Sequence, residues 1–108
     1  MQILGFSPSE GESRVPISVR IRFNPPYSFQ VHLRLVFGDI AVSTDVHPLS
    51  DDEWLLEATA PDREDAETVP LTIQVLDDAG TILDSLTFGD FAYWIPSMFS
   101  FFLVFSAL

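Results

Sequence analysis

The chain has 108 residues, 47% of them hydrophobic, and a formal net charge of −11 at pH 7. A chain of this length supports one hydrophobic core, and this apolar content is too high for a disordered segment. The absence of cysteine excludes disulfides and thiolate chemistry, and the acidic charge leads us to expect no binding to duplex nucleic acid.

A turn and a strand are the first predicted elements. Residues 7–13 are rich in Pro, Gly and Ser, which favours a turn. Residues 17–23 alternate apolar with polar side chains, a pattern typical of a strand with one buried face and one solvated face. Arg20 and Arg22 fall on the solvated face.

The middle of the chain predicts three further strands. Residues 29–37 repeat the alternation with His32 and Arg34 at polar positions, and residues 40–44 and 53–59 have shorter runs of the same kind. Turn signals separate these runs. They are the segment Asn24-Pro25-Pro26, the dipeptide His47-Pro48 and the acidic pair Asp51-Asp52.

The last third predicts a hairpin and a final strand. Residues 61–68 form an acidic loop, and alternating runs at residues 69–76 and 81–88 flank the sequence Asp-Asp-Ala-Gly. Residues 91–94 predict one more strand. About seven short strands, with turns every ~8 to 12 residues, predict an all-β antiparallel sandwich.

Five short motifs resemble, in order and spacing, the IPT/TIG type of immunoglobulin-like domain. They are FSPSEG at residues 6–11, VFG at 36–38, TAP at 59–61, VPLTIQV at 69–75 and FGDFAYW at 88–94. The whole segment 69–94 is most similar to the domain of fungal Medusa-type regulators of development. The resemblance implies an immunoglobulin-like E-set sandwich over residues 1–94, used for protein contacts inside transcription regulators, and it implies no catalytic residues.

Carboxylates and histidines are the candidates for metal binding or catalysis. Asp77 and Asp78 suit a hard cation, but one loop supplies too few oxygens for calcium, so we interpret them as a hairpin turn in which Gly80 has positive φ. His32 lies at an exposed position and His47 in a turn. Neither has a recognisable nucleophile motif or metal-ligand spacing beside it. The sequence therefore predicts no enzymatic activity, no metal and no cofactor.

Three arginines and three aromatic residues are the candidate interaction residues. Arg20, Arg22 and Arg34 have two interpretations: a basic stripe that contacts an acidic partner or a phosphate, or cross-strand pairs with the domain's own carboxylates, which we favour. The alternation in residues 53–59 and 91–94 leads us to expect a large apolar group on the outer face of each strand, and loops that cover both faces are the alternative. The candidates from these strands are Trp54, Tyr93 and Trp94.

These observations predict a non-enzymatic protein-interaction module, with homodimerisation among its modes, from a transcription-regulator-like protein in the nucleus. The N-terminal sequence lacks a secretion signal pattern, and we expect the chain to be a fragment of a longer protein. An extracellular adhesion or carbohydrate-associated sandwich is the alternative function. A signal peptide or a sugar-active domain in the parent protein would favour that alternative.

Residues 95–108 form an uncharged tail rich in Phe. After Pro96 a helix would extend about 18 Å against a bilayer core of about 30 Å, which disfavours a membrane anchor. A helix that packs on the sandwich or on a partner is the second interpretation. We favour a third, in which the tail lies outside the fold, because its residues have the pyrimidine-rich codons typical of intron sequence that is read through.

Overall fold

The structure is a computed structural model that describes residues 1–23 and 31–94. Within these ranges it contains nine β-strands and no helix, so the all-β prediction is confirmed for the described residues, with nine strands in place of about seven. The strands are β1 (Gln2–Ser7), β2 (Glu10–Gly11), β3 (Pro16–Arg22), β4 (His32–Phe37), β5 (Ile40–Val42), β6 (Thr44–Pro48), β7 (Glu53–Thr59), β8 (Thr68–Leu76) and β9 (Ile82–Tyr93).

The strands form two sheets in a sandwich-like arrangement. The four-stranded sheet has the order β1-β3-β7-β6, and the five-stranded sheet has the order β2-β9-β8-β4-β5. Neighbouring strands are antiparallel except for β2 and β9, which run parallel. The last strand of the described residues, β9, therefore pairs with a segment close to the beginning of the chain.

The core lies between the sheets and is built from the alternating positions of the central strands. On β3 the apolar side chains are buried while Arg20 and Arg22 point outward. On β4, Leu35 and Phe37 are 0% exposed and contribute from the other sheet. Because side chains in a strand alternate between its faces, this pattern places every second residue in the core. The largest fully buried side chains are Phe23, Phe37, Phe91, Ile17, Ile21, Leu35, Leu56, Leu71, Ile73, Val19 and Val75.

The chain changes sheets where the sequence predicts a single strand over residues 40–44. The structure has two strands there: β5 pairs with β4, and β6 pairs with β7 of the other sheet. The Leu35 backbone N–H donates to the Thr44 hydroxyl at 2.9 Å, and that hydroxyl donates to the Val42 carbonyl at 3.1 Å. The side chain of Thr44 thus supplies hydrogen bonds where the strand leaves the sheet.

The bend that His47-Pro48 and Asp51-Asp52 bracket is observed, with Leu49 N–H bonded to Glu53 O at 2.9 Å. His47 was predicted to lie in that turn, but it lies with Pro48 at the end of the edge strand β6, where a proline is tolerated. The predicted break between residues 88 and 91 is wrong. The predicted strands 81–88 and 91–94 are one strand, β9. Its pairing with β8 shifts register at two points, so bulges absorb the irregular sequence without ending the strand.

β1 and β2 were not predicted, since neither has clean alternation. The register of β1 against β3 shifts between Ile3 and Gly5, which breaks the two-residue period that reveals a strand. β2 has two residues, and its pairing partners are Ala92 and Tyr93 on β9. Within the predicted turn over residues 7–13, Ser7 therefore belongs to β1, and Glu10 and Gly11 belong to β2.

Several predictions concern residues outside the described ranges. They are the break at Asn24-Pro25-Pro26, the first part of the strand predicted over 29–37, and the tail at 95–108. From His32 onward the predicted strand is observed as β4.

Candidate protein-interaction site

Arg20 and Arg22 pair with carboxylates of their own domain. Arg22 lies opposite Glu53 in the register of β3 and β7. Arg20 Nη2 donates to Glu53 Oε2 at 2.9 Å, Arg22 Nη2 donates to Glu53 Oε1, and Arg22 Nε lies 3.6 Å from Asp52 Oδ2. Hydrogen bonds from Arg20 and Arg22 hold the pKa of Glu53 below its ordinary value. The cross-strand interpretation of these two arginines is confirmed.

Arg34 lies on the other sheet, so the basic stripe of three arginines, the less favoured interpretation, does not form. β3 belongs to the four-stranded sheet and β4 to the five-stranded sheet. Arg34 Nε donates to Gln74 Oε1 at 2.6 Å across the β4-β8 pair. The alternation pattern shows that an arginine lies on the outward face of its strand. Whether two such arginines share a surface depends on whether their strands belong to the same sheet.

Trp54 packs against the core, which corrects the expectation that it is an exposed interaction residue. It lies on the same side of β7 as Leu56, which is 0% exposed. Its indole meets the Phe23 ring edge-on, with ring centroids 4.9 Å apart. Edge-to-face packing is a favoured aromatic contact, so the Trp54 ring contributes to the stability of the fold.

Tyr93 is also a core residue and not a surface residue as predicted. It is 5% exposed, and its ring centroid lies 5.0 Å from that of Phe91 in an edge-to-face contact. The hydroxyl donates to Pro61 O at 2.9 Å. Burial raises the pKa of Tyr93 above its ordinary value. Phe91 and Tyr93 therefore both lie inside the sandwich.

Trp94 is the predicted aromatic residue that does lie at the surface. It follows β9, is 46% exposed, and its backbone N–H donates to Gly11 O at 3.1 Å. Its side chain borders a shallow groove of about 420 Å³, which we call the Trp94 groove. The residues that line it are Pro8, Glu10, Gly11, Glu12, Ser13, Arg14, Val15 and Trp94.

The loop that forms the floor of the Trp94 groove is held by backbone and side-chain bonds. Arg14 N–H donates to Ala60 O, and Ala60 N–H donates to Val15 O, both at 2.9 Å. Arg14 has φ of +68°, a conformation that a residue with a side chain adopts at a cost. Its guanidinium binds both oxygens of Asp62 at 2.9 and 3.0 Å. These contacts join the groove to the acidic loop at residues 61–67.

Arg63 anchors the acidic loop to the sandwich. Its guanidinium donates to Glu67 Oε1 at 3.0 Å, to Phe37 O at 2.9 Å and to Asp39 Oδ1 at 3.1 Å. Gly38 has φ of +66°, and a Cβ there would lie 3.0 Å from Arg63 Nη2, so a glycine leaves room for the guanidinium. Arg63 was not among the predicted interaction residues, although it is the one arginine after residue 38, in a segment rich in acidic residues.

The sequence did not predict the Trp94 groove because the residues that line it, Trp94 and those of residues 8–15, are distant in sequence. Ser13 Oγ accepts from Arg63 N–H at 2.9 Å across a separation of 50 residues. Gly11 has no space for a side chain, since a Cβ would lie 3.1 Å from a Val15 methyl carbon. The predicted residue Trp94 therefore lies beside a loop for which the sequence predicted only a turn.

The acidic hairpin turn is confirmed as a turn. Asp77 Oδ1 accepts hydrogen bonds from the backbone of Ala79 at 2.9 Å and of Thr81 at 2.8 Å, and Gly80 has φ of +83°. His32 Nε2 lies 2.9 Å from Asp78 Oδ1. Residues 1–23 and 31–94 contain no group of three or more His, Asp or Glu side chains that could hold a metal ion.

No protein-family model, curated protein or solved structure matches this chain. Among the described residues, no helix has the length and apolar character needed to cross a membrane.

Proposed function

We propose that this chain is a non-enzymatic protein-interaction domain and that the Trp94 groove is its contact surface. The observation that carries the proposal is the 46% exposure of Trp94 beside a groove whose floor is fixed by hydrogen bonds. Trp is among the residues most enriched where binding energy concentrates. Hydrogen bonds that already order the lining loop also reduce the entropy lost when a partner binds.

We also propose a more specific fold class and context. The chain is an immunoglobulin-like E-set domain of the IPT/TIG type, within a nuclear transcription regulator. The support for this proposal is the order of the sequence motifs together with the two-sheet arrangement. Two of the motifs also build the region of the groove. Gly38 of the VFG motif accommodates Arg63, and the FGDFAYW motif forms the end of β9 and supplies Trp94.

The polar residues singled out for catalysis are engaged in structural contacts, which supports a non-enzymatic role. Asp77 binds the backbone of its own turn, and His32 contacts Asp78. His47 Nε2 lies 3.8 Å from Glu57 Oε2 on the exposed side of β6 and β7. Exposed pairs of this kind contribute little free energy and lack the enclosure that catalysis uses.

A retention experiment with immobilised protein tests the proposal. The full chain, its Trp94→Ala variant and a Leu49→Ala variant serve as baits for nuclear extract, and the same three are applied to a glycan array. Leu49 is a matched control because it is 50% exposed and lies in the turn after β6. We expect proteins that the wild type and Leu49→Ala retain and Trp94→Ala loses. Binding to glycans, or identical retention by all three baits, would favour the alternative sandwich classes.

A further inference from the structure

We infer that the Trp94 groove binds an extended segment of a different protein that carries Arg or Lys beside an apolar side chain. The inference rests on the proposed function and names the chemistry of the partner. It follows from the charge around the groove, from its apolar floor and from the engagement of every arginine in this chain.

The charge around the Trp94 groove is strongly negative. The loop at residues 8–15 and the acidic loop at 61–67 together carry six carboxylates against two arginines, which leaves a net charge of −4. Both arginines are occupied, since Arg14 binds Asp62 and Arg63 binds Glu67. Among the described residues, the carboxylates of Glu10 and Glu12 have no ion-pair partner. A cationic segment therefore meets carboxylates that are free to pair with it.

The floor of the groove provides an apolar contact and an aromatic face. Pro8, Val15 and Trp94 are among the residues that line it. The face of an indole attracts Arg and Lys side chains more strongly than other aromatic rings do. An apolar side chain of the same segment packs on Pro8 and Val15, which adds burial to the electrostatic attraction.

A second copy of this chain does not supply such a segment. The chain has no lysine, and its five basic residues are all arginines within the described ranges. Each of them already donates to a side-chain oxygen: Arg14 to Asp62, Arg20 and Arg22 to Glu53, Arg34 to Gln74, and Arg63 to Glu67. With a net charge of −11, two copies also repel one another. The partner is therefore a basic segment of another protein.

A titration with defined peptides tests this inference on the full chain. The probe is a fluorescein-labelled peptide of about eight residues that alternates Arg and Leu, and its control alternates Glu and Leu. We expect saturable anisotropy with the Arg-Leu peptide, an affinity that falls steeply with added salt, and no binding of the Glu-Leu peptide.

Three variants locate the binding. Trp94→Ala and the double variant Glu10→Gln/Glu12→Gln should each weaken binding about tenfold, equivalent to about 1.4 kcal/mol. The double variant Asp45→Asn/Asp51→Asn removes the same charge from exposed positions on β6 and its following turn, and it should stay within about twofold of wild type. Thermal unfolding of each variant establishes that it is folded.

The outcomes separate this inference from the proposed function. Equal weakening by both double variants shows nonspecific attraction and overturns the inference, as does failure of the Arg-Leu peptide to bind. A Trp94-dependent dimer in sedimentation equilibrium also overturns it, because a second copy then fills the groove. If Trp94-dependent protein retention persists while the Arg-Leu peptide fails, the proposed function stands and only the basic partner is wrong.

Discussion

The Tyr93 hydroxyl donates a 2.9 Å hydrogen bond to the carbonyl oxygen of Pro61, 32 residues earlier in the chain. The bond fastens the end of β9 to the acidic loop, and Tyr93 N–H bonded to Glu67 O at 2.7 Å fastens it a second time. Trp94 is the next residue. The buried tyrosine before it therefore holds the backbone from which the exposed Trp94 side chain projects.

Tyr93 predicts a loss of stability in alkaline solution. Burial raises its pKa above the ordinary value of 10.0, so the unfolded chain releases this proton at a lower pH than the folded chain does. The free energy that Tyr93 contributes is complete below pH about 10 and should decrease as the pH rises toward the folded pKa. Urea unfolding at several pH values measures it. A Tyr93→Phe variant should lose this part of the pH dependence, and an unchanged slope would contradict the assignment.

Glu53 predicts a loss of stability in acid. Hydrogen bonds from Arg20 and Arg22 lower its folded pKa below the ordinary 4.5, so the unfolded chain takes up the proton first as the pH falls. The stabilisation is present above pH about 4.5 and should disappear as the pH falls through the folded value. Unfolding curves for Glu53→Gln should therefore change less with pH in this range. The control is Glu57→Gln on the same strand, whose ion pair is with His47; equal slopes for both variants would refute the prediction.

Replacing each of the two tryptophans should affect stability differently. Trp54→Ala should lower the free energy of unfolding by about 2 kcal/mol or more, because it removes a ring packed on Phe23 at 4.9 Å. Trp94→Ala should change it by less than about 0.5 kcal/mol, since this side chain is 46% exposed. Chemical denaturation of both variants provides the measurement. A large loss in Trp94→Ala alone would show that the indole supports the fold and not an interface.

Duplex nucleic acid should not bind the chain at physiological salt. The net charge is −11, and the arginines on the outer faces of the sheets already donate to Glu53 and Gln74. Too few cations remain to displace counterions from phosphates. A fluorescence titration of a labelled duplex at about 0.15 M salt checks this, and micromolar or tighter binding would contradict it.

Deleting residues 95–108 should leave the sandwich folded and increase its solubility. The prediction comes from the sequence, since this uncharged segment follows the last strand and lies outside the described residues. Circular dichroism and chemical denaturation of the shortened chain measure the result. A loss of several kcal/mol, as expected for removing several buried large side chains, would show that the tail belongs to the core.

The sequence by itself determined the elements whose information is local. Apolar runs with a period near two residues identified β3, β7 and β8 within one residue of their observed ends, because the two-residue period of a strand reflects burial of one face. Asp77 and Gly80 determined the hairpin turn in the same way, since the carboxylate and the positive φ act within a few residues.

Only the tertiary structure decided which strands share a sheet and, on β7 and at the end of β9, which side of the strand meets the core. Trp54 and Tyr93 turn inward because a second sheet covers that face, whereas Arg34 is separated from Arg20 because β4 joins the other sheet. Where large apolar side chains occupy both phases of the alternation, as Trp54 and Leu55 or Tyr93 and Trp94 do, the pattern does not show which of them is buried. The Trp94 groove likewise depends on contacts such as Arg14 with Asp62, 48 residues apart, which no local pattern encodes.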